Sequence, residues 1–390
     1  MKSSLVLALL LLAARPAAAG EAVRVDPPTP DVTSHTGVLH SRILAEERPF
    51  TVYLPRGFDR QPDRTYPVMI VLDGGAYGGL MAETLHLMRI RGGAPAVITV
   101  AVPNIDRRRD FLPFPVDYLP TSGGAGPFLS FLADELVPWI ESEYRGNGYR
   151  ILFGHSFGGL LATYALVCRP EVCQAALAAS PALYYDRGRT LRTIEKILTS
   201  RPPAGPRYLF LSMADELIYA ESIDFLQGRL DSLATGWLRR DEIRYPGESH
   251  VSMVLHALPD ALEGLFAGWN LPPEVEAQGR EPIRAHFAEL TARMGYEVEV
   301  PEELVNRLGY AALGRGETDA ALDLFRWNTE RFPASANTWD SLAEALLAAG
   351  DRDGAVARYR QALAVDPDFA PSREALARLG AAGGTPGPGG

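Results

Sequence analysis

At 390 residues the chain is longer than one ordinary domain, and 47% hydrophobic against 22% charged residues leaves ample material for a core. A formal net charge of −10 argues against nucleic acid or an anionic membrane surface as a partner. Lys2 and Lys196 are the only lysines, so arginine supplies nearly all the positive charge.

Lys2, the apolar run Leu5 to Ala14 and the small-residue site Ala17-Ala18-Ala19 read as an export signal over residues 1–19. The run is too short for a permanent span, and no later stretch of about 18 apolar residues occurs, so no integral membrane segment is expected after cleavage. A periplasmic or secreted protein is therefore predicted. Residues 20–36, with Pro27, Pro28 and Pro30, form an extended lead-in.

From residue 37 to 270, strands and helices alternate. Gly37 to Leu44 and Arg48 to Leu54 read as two antiparallel strands. Tyr66 to Leu72 and Ala96 to Val102 are unbroken apolar runs, the pattern of strands buried on both faces of a parallel sheet. The first closes on Asp73-Gly74-Gly75, with a helix predicted over residues 80–90. The second opens a loop, Asn104 to Pro113, in which Arg107 or Arg109 is expected to grip an anionic or polyphenolic substrate, with Asp110 orienting it. Thr121 to Gly126 reads as a lid hinge, and Phe128 to Tyr144 as an amphipathic helix.

Next come Ile151-Leu152-Phe153, the pattern Gly154-His155-Ser156-Phe157-Gly158, and a helical run from Gly159. A serine on so sharp a strand-to-helix turn is lifted above the sheet, and Gly154 and Gly158 are expected to let strand and helix pass closely. The N–H of Phe157, at the helix N-terminus, is a candidate oxyanion donor. Cys168 and Cys173 end this helix. Two cysteines alone hold no metal, and their spacing suits either a small-loop disulfide or two buried thiols.

Further strands are predicted at Ala175 to Ala179, followed by Ser180-Pro181 and the possible pocket wall Tyr184-Tyr185; at Tyr208 to Met213, followed by Asp215-Glu216; and at Glu242 to Tyr245, followed by Pro246 to His250. Ser156 needs a base to take its proton, and the base needs a third group to fix its tautomer. His250, in a loop after a strand, suits the base; His155 lies inside the turn, and the remaining histidines lie before the sheet, after it or in helical runs. Asp215 and Glu216 are both candidates for the acid. Serine, then acid, then histidine is the α/β-hydrolase order, and in that architecture the loop after Leu72 supplies a second oxyanion N–H, nominating Gly75 with Ala76 beside it. The predicted fold class is α/β, a mostly parallel α/β-hydrolase sheet with a small all-α C-terminal domain.

Tyr66 to Gly74, the Asn-x-x-Arg-x-Arg-Asp-x-x-Pro pattern at Asn104 to Pro113, Gly154 to Gly159, Ser180-Pro181 and Pro246 to His250 together resemble the esterase family of α/β-hydrolases that includes siderophore, feruloyl and carbohydrate esterases. The resemblance implies an ester hydrolase with Ser156 as nucleophile and His250 as base, acting on a small-molecule ester. It turns the acid towards Glu216, although Ala214 stands where a glycine is more usual. It requires neither metal nor organic cofactor.

After a connecting segment, residues 271–304, the chain repeats itself with a period of 34. Val305, Leu308, Gly309, Ala312, Ala321, Phe325 and Pro333 recur as Trp339, Leu342, Ala343, Leu346, Ala355, Tyr359 and Pro367. This resembles the tetratricopeptide repeat, a helix pair. Residues 305–379 are assigned to two repeats and a closing helix, docked through a helix at Glu281 to Met294, and residues 380–390 to a disordered glycine-rich tail. The repeats suit a protein partner, or a structural role at the active-site entrance or in a dimer. A catalytically silent hydrolase scaffold that binds through its repeats is the alternative to the esterase.

Overall fold

The computed structural model describes residues 32–380 apart from Gln61, Asp63 and Thr235. The predicted export signal, most of the proline-rich lead-in and the tail from residue 381 lie outside the described residues.

Eight strands form one sheet: β1 (Thr33–Ser41), β2 (Glu46–Leu54), β3 (Tyr66–Leu72), β4 (Ile98–Val102), β5 (Gly146–His155), β6 (Ala175–Ala179), β7 (Arg207–Ala214) and β8 (Leu238–Tyr245). Their order is β1-β2-β4-β3-β5-β6-β7-β8. β1 pairs antiparallel with β2, and β2 with β4; every other pairing is parallel. This is an α/β-hydrolase-type sheet, and its continuous apolar runs follow from burial on both faces.

Period-two alternation divides each central strand between two cores. Val68, Ile70 and Leu72 of β3 join Leu152 of β5 on one face, while Met69 and Val71 join Ile151 and Phe153 on the other. The first face is covered by α3 (Ala125–Phe131), continued through a π-turn at Leu132–Leu136 into α4 (Val137–Tyr144), and by α5 (Phe157–Cys168), α6 (Arg189–Ser200) and α7 (Leu217–Leu233). The second is covered by α1 (Gly74–Ile90) and α8 (Met253–Leu265). The outer strand β8 carries Arg239, Arg240, Asp241, Glu242 and Arg244, charges that discourage further strand pairing at an edge.

Three expectations change. The helix predicted from residue 80 begins at Gly74, so Gly74-Gly75 is its first turn rather than a loop; a Cβ on Gly74 would lie 2.3 Å from the backbone nitrogen of Val102, and only glycine allows the helix to start so close to β4. The Asn104 to Pro113 loop contains a short helix, α2 (Arg107–Phe111), capped by the Asp106 carboxylate, which accepts from the N–H groups of Arg108 and Arg109. Thr121 to Gly126 is not a free hinge. Ser122 Oγ accepts from the Val116 N–H at 2.7 Å, and Gly123 and Gly124 donate to the Leu112 and Arg109 carbonyls.

Beyond the sheet lie α9 (Pro273–Glu276), α10 (Arg280–Met294) and five helices of the repeat region: α11 (Glu302–Gly314), α12 (Thr318–Arg331), α13 (Ala336–Ala348), α14 (Arg352–Val365) and α15 (Ala370–Arg378). The 34-residue pattern accounts for their core, in which Ala312, Ala321 and Phe325 meet Leu342, Ala343, Leu346, Ala355 and Tyr359. A Cβ on Gly309 would meet the Phe325 ring at 2.5 Å, so the small residue of the pattern is what lets α11 approach α12.

The repeats are not a tethered appendage. Val305, Leu308, Leu324 and Trp327 share one hydrophobic core with α8, with Ile283, Phe287, Leu290 and Met294 of α10, and with the second face of the sheet. Tyr296 packs on Tyr149 near the start of β5, with ring centroids 4.9 Å apart, and Gly295 abuts Pro206 just before β7. This attachment is at the N-terminal ends of the strands. Ser156 follows the C-terminal end of β5, so the connection to the repeats lies at the opposite end of the strand from Ser156.

Candidate active site

β5 ends at His155 and α5 begins at Phe157, leaving Ser156 alone in the turn with φ 60° and ψ −113°. A non-glycine residue held there costs roughly 1–3 kcal/mol, so its surroundings must enforce it. The Ser156 N–H donates to the Ala179 carbonyl at 2.9 Å, and its own carbonyl accepts from Leu160 at 2.9 Å and Ala182 at 3.1 Å. The two motif glycines act differently. A Cβ on Gly154 would lie 2.2 Å from the Gly158 carbonyl group, whereas one on Gly158 would meet nothing closer than the Asp73 carboxylate at 3.4 Å.

The parallel register brings the ends of β6, β7 and β8 alongside. His250 Nδ1 lies 2.8 Å from Glu216 Oε1. Asp215 faces the other way, its carboxylate accepting from the Gly247 N–H at 2.7 Å and tying the loop after β7 to the loop after β8. Ser180, wholly buried with φ 41°, donates from Oγ to Glu216 Oε2 at 2.6 Å and lies 3.1 Å from His250 Nδ1. It anchors the carboxylate facing the histidine. The Ser-Pro pair at a strand end was legible in the sequence, but this contact was not.

His155, inside the turn as its place in the sequence implies, packs on His250: its ring lies 4.5 Å from that of His250, and its Nε2 is 2.8 Å from the His250 carbonyl. A carbonyl only accepts, so Nε2 carries the proton, leaving Nδ1 to accept from the Tyr77 hydroxyl at 3.1 Å. Burial, reinforced by the neighbouring His250, pushes the imidazole down to about 4, so it is neutral at physiological pH. On the other side, the Tyr219 hydroxyl lies 3.5 Å from His250 Nε2, and Tyr219 packs edge-on against half-buried Tyr184 with ring centroids 4.9 Å apart.

Phe157 and Gly75 each lie in the first turn of a helix, where N–H groups have no intrahelical acceptor. A cleft of about 350 Å³ is lined by Asp73, Gly75, Ala76, Tyr77, Asn104, Arg107, His155 and Val251, among others. A Cβ on Gly75 would meet nothing within 4 Å, so the glycine leaves that wall open. Arg107 clasps the two loops behind the cleft: Nε and Nη2 donate to Asp73 at 2.7 and 3.0 Å, and Nη2 donates to the His155 carbonyl at 2.9 Å. Arg107 therefore borders the cleft with its charge already matched by Asp73.

Arg109 and Asp110 have their charges engaged within the protein. Asp110 is 1% exposed and accepts from Arg48 Nη2 and Arg109 Nε, both at 2.7 Å, while the remaining Arg109 nitrogens donate to Glu46. The Arg109-Asp110 pair closes a partly buried ionic network that fastens α2 to β2. Its closeness in sequence to Arg107 hid this, because two residues along a helix turn the side chain by about 200°, to the opposite face. Cys168 and Cys173 are free thiols, both pushed up to about 12 by burial.

Residues 41–232 match the family model described as "Putative esterase", and residues 336–379 match a tetratricopeptide-repeat model. Residues 41–232 belong to this esterase family. The Ferri-bacillibactin esterase BesA of Bacillus subtilis is 25% identical over 236 residues, 54% of this chain and 82% of that protein. The Siderophore triacetylfusarinine C esterase of Aspergillus fumigatus is 36% identical over 141 residues, 33% of this chain and 48% of that protein. Among solved structures, an IroE-like serine hydrolase from Shewanella oneidensis superposes with a TM-score of 0.69 at 26% identity, covering 77% of this chain and all of the other. The chain is a carboxylic ester hydrolase. Among the described residues, no helix is long and apolar enough to cross a membrane.

Proposed function

We propose that this esterase is an exported serine hydrolase in which Ser156 attacks the ester carbonyl, His250 carries the proton and Glu216 holds His250 in its working tautomer. The observation that carries the reading is the Glu216–His250 contact at 2.8 Å, with the hydroxyl of Tyr219, a neighbour of Ser156, 3.5 Å from Nε2. With Nδ1–H donating to Glu216, Nε2 is the free lone pair, the state a general base requires. Ser156 Oγ adds to the carbonyl carbon as its proton passes to Nε2; the negative charge on the former carbonyl oxygen is received by the N–H groups of Phe157 and Gly75, each donor contributing of order 10²–10³ in rate. Collapse expels the alcohol, which takes the proton from Nε2. Water then repeats the sequence on the acyl-enzyme.

For the substrate, we favour a siderophore-type ester. The Bacillus subtilis and Aspergillus fumigatus proteins named above are esterases of such molecules, and the site has a polar cleft containing Asn104 and Arg107 and, beside Phe157 and Tyr219, the aromatic pair Tyr184 and Tyr185. Feruloyl and carbohydrate esters are the competing classes, since neither feature selects among aromatic or hydroxyl-rich esters. Export rests on the Lys2 to Ala19 pattern, and an intact Met1 in the mass spectrum of the mature protein would overturn it.

The deciding experiment compares wild type with Ser156→Ala on a short-chain p-nitrophenyl ester, then screens siderophore and feruloyl esters. Turnover lost in the variant is expected. Turnover retained by Ser156→Ala sinks the mechanism; a folded wild type that neither turns over nor reacts with a fluorophosphonate favours the silent scaffold. Partner binding by the repeats is best tested with surface substitutions in α13 and α14. Deleting residues 301–379 would expose the core shared with the sheet.

A further inference from the structure

Tyr219 is not accounted for by the mechanism above. It sits one turn into α7, donating its N–H to the carbonyl of Glu216 at 3.0 Å, so the same turn sets acid and phenol side by side. Its side chain is 8% exposed, and the ring packs on His250 at 5.0 Å and on Tyr184 at 4.9 Å. The hydroxyl lies 3.5 Å from His250 Nε2 and interacts with both Ser156 and Tyr184. Burial and the neighbouring Tyr184 raise the phenol well above its ordinary range, so it is a neutral O–H throughout the working pH range. A buried hydroxyl at the proton-accepting nitrogen is more than packing requires, because phenylalanine would fill the same ring space.

The triangle around Nε2 defines where the leaving group must be. An alkoxide oxygen taking the proton from Nε2 sits about 2.8 Å from it, and wherever it approaches within about 60° of the direction to Tyr219 Oη, 3.5 Å from the same nitrogen, the two oxygens are within hydrogen-bond reach. Building on the serine-esterase reading, we propose that Tyr219 is a further catalytic residue, donating a hydrogen bond to the leaving-group oxygen as the tetrahedral intermediate collapses. In that step the oxyanion lone pair re-forms the C=O bond, the bond from carbon to the alcohol oxygen breaks with its electron pair going to that oxygen, and the proton on His250 Nε2 passes to it. Ser156 stays acylated and Tyr219 keeps its proton. The phenol spreads the charge that appears on oxygen before the proton arrives, which matters most when the alcohol is a poor leaving group.

The test uses the full-length protein and Tyr219→Phe, with kcat/KM measured for acetate esters of p-nitrophenol, phenol and a simple alkyl alcohol. kcat/KM reports the steps through acylation, and with a constant acyl group only the leaving group varies. Sites are counted by fluorophosphonate labelling, so misfolded protein does not enter the comparison. The expected loss is within about threefold for the p-nitrophenyl ester, whose leaving group needs little help, rising to roughly 10–100-fold for the alkyl ester with KM little changed. Equal losses across the three esters would mean a structural role, and no loss on the alkyl ester would mean no role; either overturns the proposal. Absence of Ser156-dependent turnover in the wild type overturns the serine-esterase reading itself, and this proposal with it.

Discussion

The Ser156 turn depends on one glycine far more than on its companion, and exchanging each for alanine exposes the difference. In Gly154→Ala the new methyl lies 2.2 Å from the Gly158 carbonyl group, and restoring ordinary contact at 3.4 Å requires α5 and β5 to separate by about 1.2 Å (3.4 − 2.2). Both clashing groups are backbone, so no rotamer change relieves them. Overpacking of this kind costs roughly 1–3 kcal/mol, a fall in melting temperature of about 1–4 °C for a protein this large. Displacing Ser156 by about an ångström relative to His250 is expected to lower kcat/KM about 100-fold. Gly158→Ala, whose methyl enters ordinary contact with Asp73, Leu72 and Phe111, should retain activity within a few-fold and melt within 2 °C or so of wild type. Thermal melts and p-nitrophenyl acetate kinetics on the three proteins decide the matter. An active, stable Gly154→Ala, or a Gly158→Ala equally damaged, would show that close approach of strand and helix is not what demands the glycine.

Three further outcomes are expected. Glu216→Gln should lower kcat by roughly 10³–10⁴-fold by disturbing the tautomer of His250, while Asp215→Asn, which loses only part of one loop contact, should stay within about threefold; matched losses would reassign the acid. His155 falls from an ordinary 6.5 to about 4 on folding, so the unfolded chain binds the extra proton first and wild type loses up to about 3 kcal/mol as pH drops from 6.5 towards 4. In melts from pH 7 to 4.5, the stability gap between wild type and His155→Gln should therefore shrink, and parallel curves would contradict the buried neutral imidazole. Asp110→Asn leaves the guanidinium of Arg48 buried without its main carboxylate, a loss of roughly 3–5 kcal/mol, yet KM of the folded enzyme should hold; a raised KM with unchanged stability would restore Asp110 to the substrate.

What was readable from the residues was whatever repeats along the chain or rests on a local backbone rule. Two-sided apolar runs announced a parallel sheet, the glycines around Ser156 announced the turn, and the 34-residue period announced paired helices. The α/β-hydrolase order along the chain nominated Ser156, His250 and the pair Asp215-Glu216, and the family resemblance, not position, turned the acid towards Glu216. Their partners could not be read this way. Whether Asp215 or Glu216 faces His250, whether Arg109 reaches a ligand or a buried carboxylate, and whether His155 stands apart or braces the histidine beside it depend on side-chain directions between segments tens of residues apart.

The same division holds for the whole chain. Sequence by itself determined the elements, the hydrolase order and the repeat, because each is set by hydrogen-bonding geometry and hydrophobic period within a few dozen residues. Only tertiary structure decided that Tyr219 stands at His250 Nε2, that Ser180 holds Glu216, and that the repeats share a core with the sheet away from the active site. Those outcomes follow from how two hydrophobic faces pack in three dimensions, and neighbours created by packing leave no spacing in the chain by which to find them.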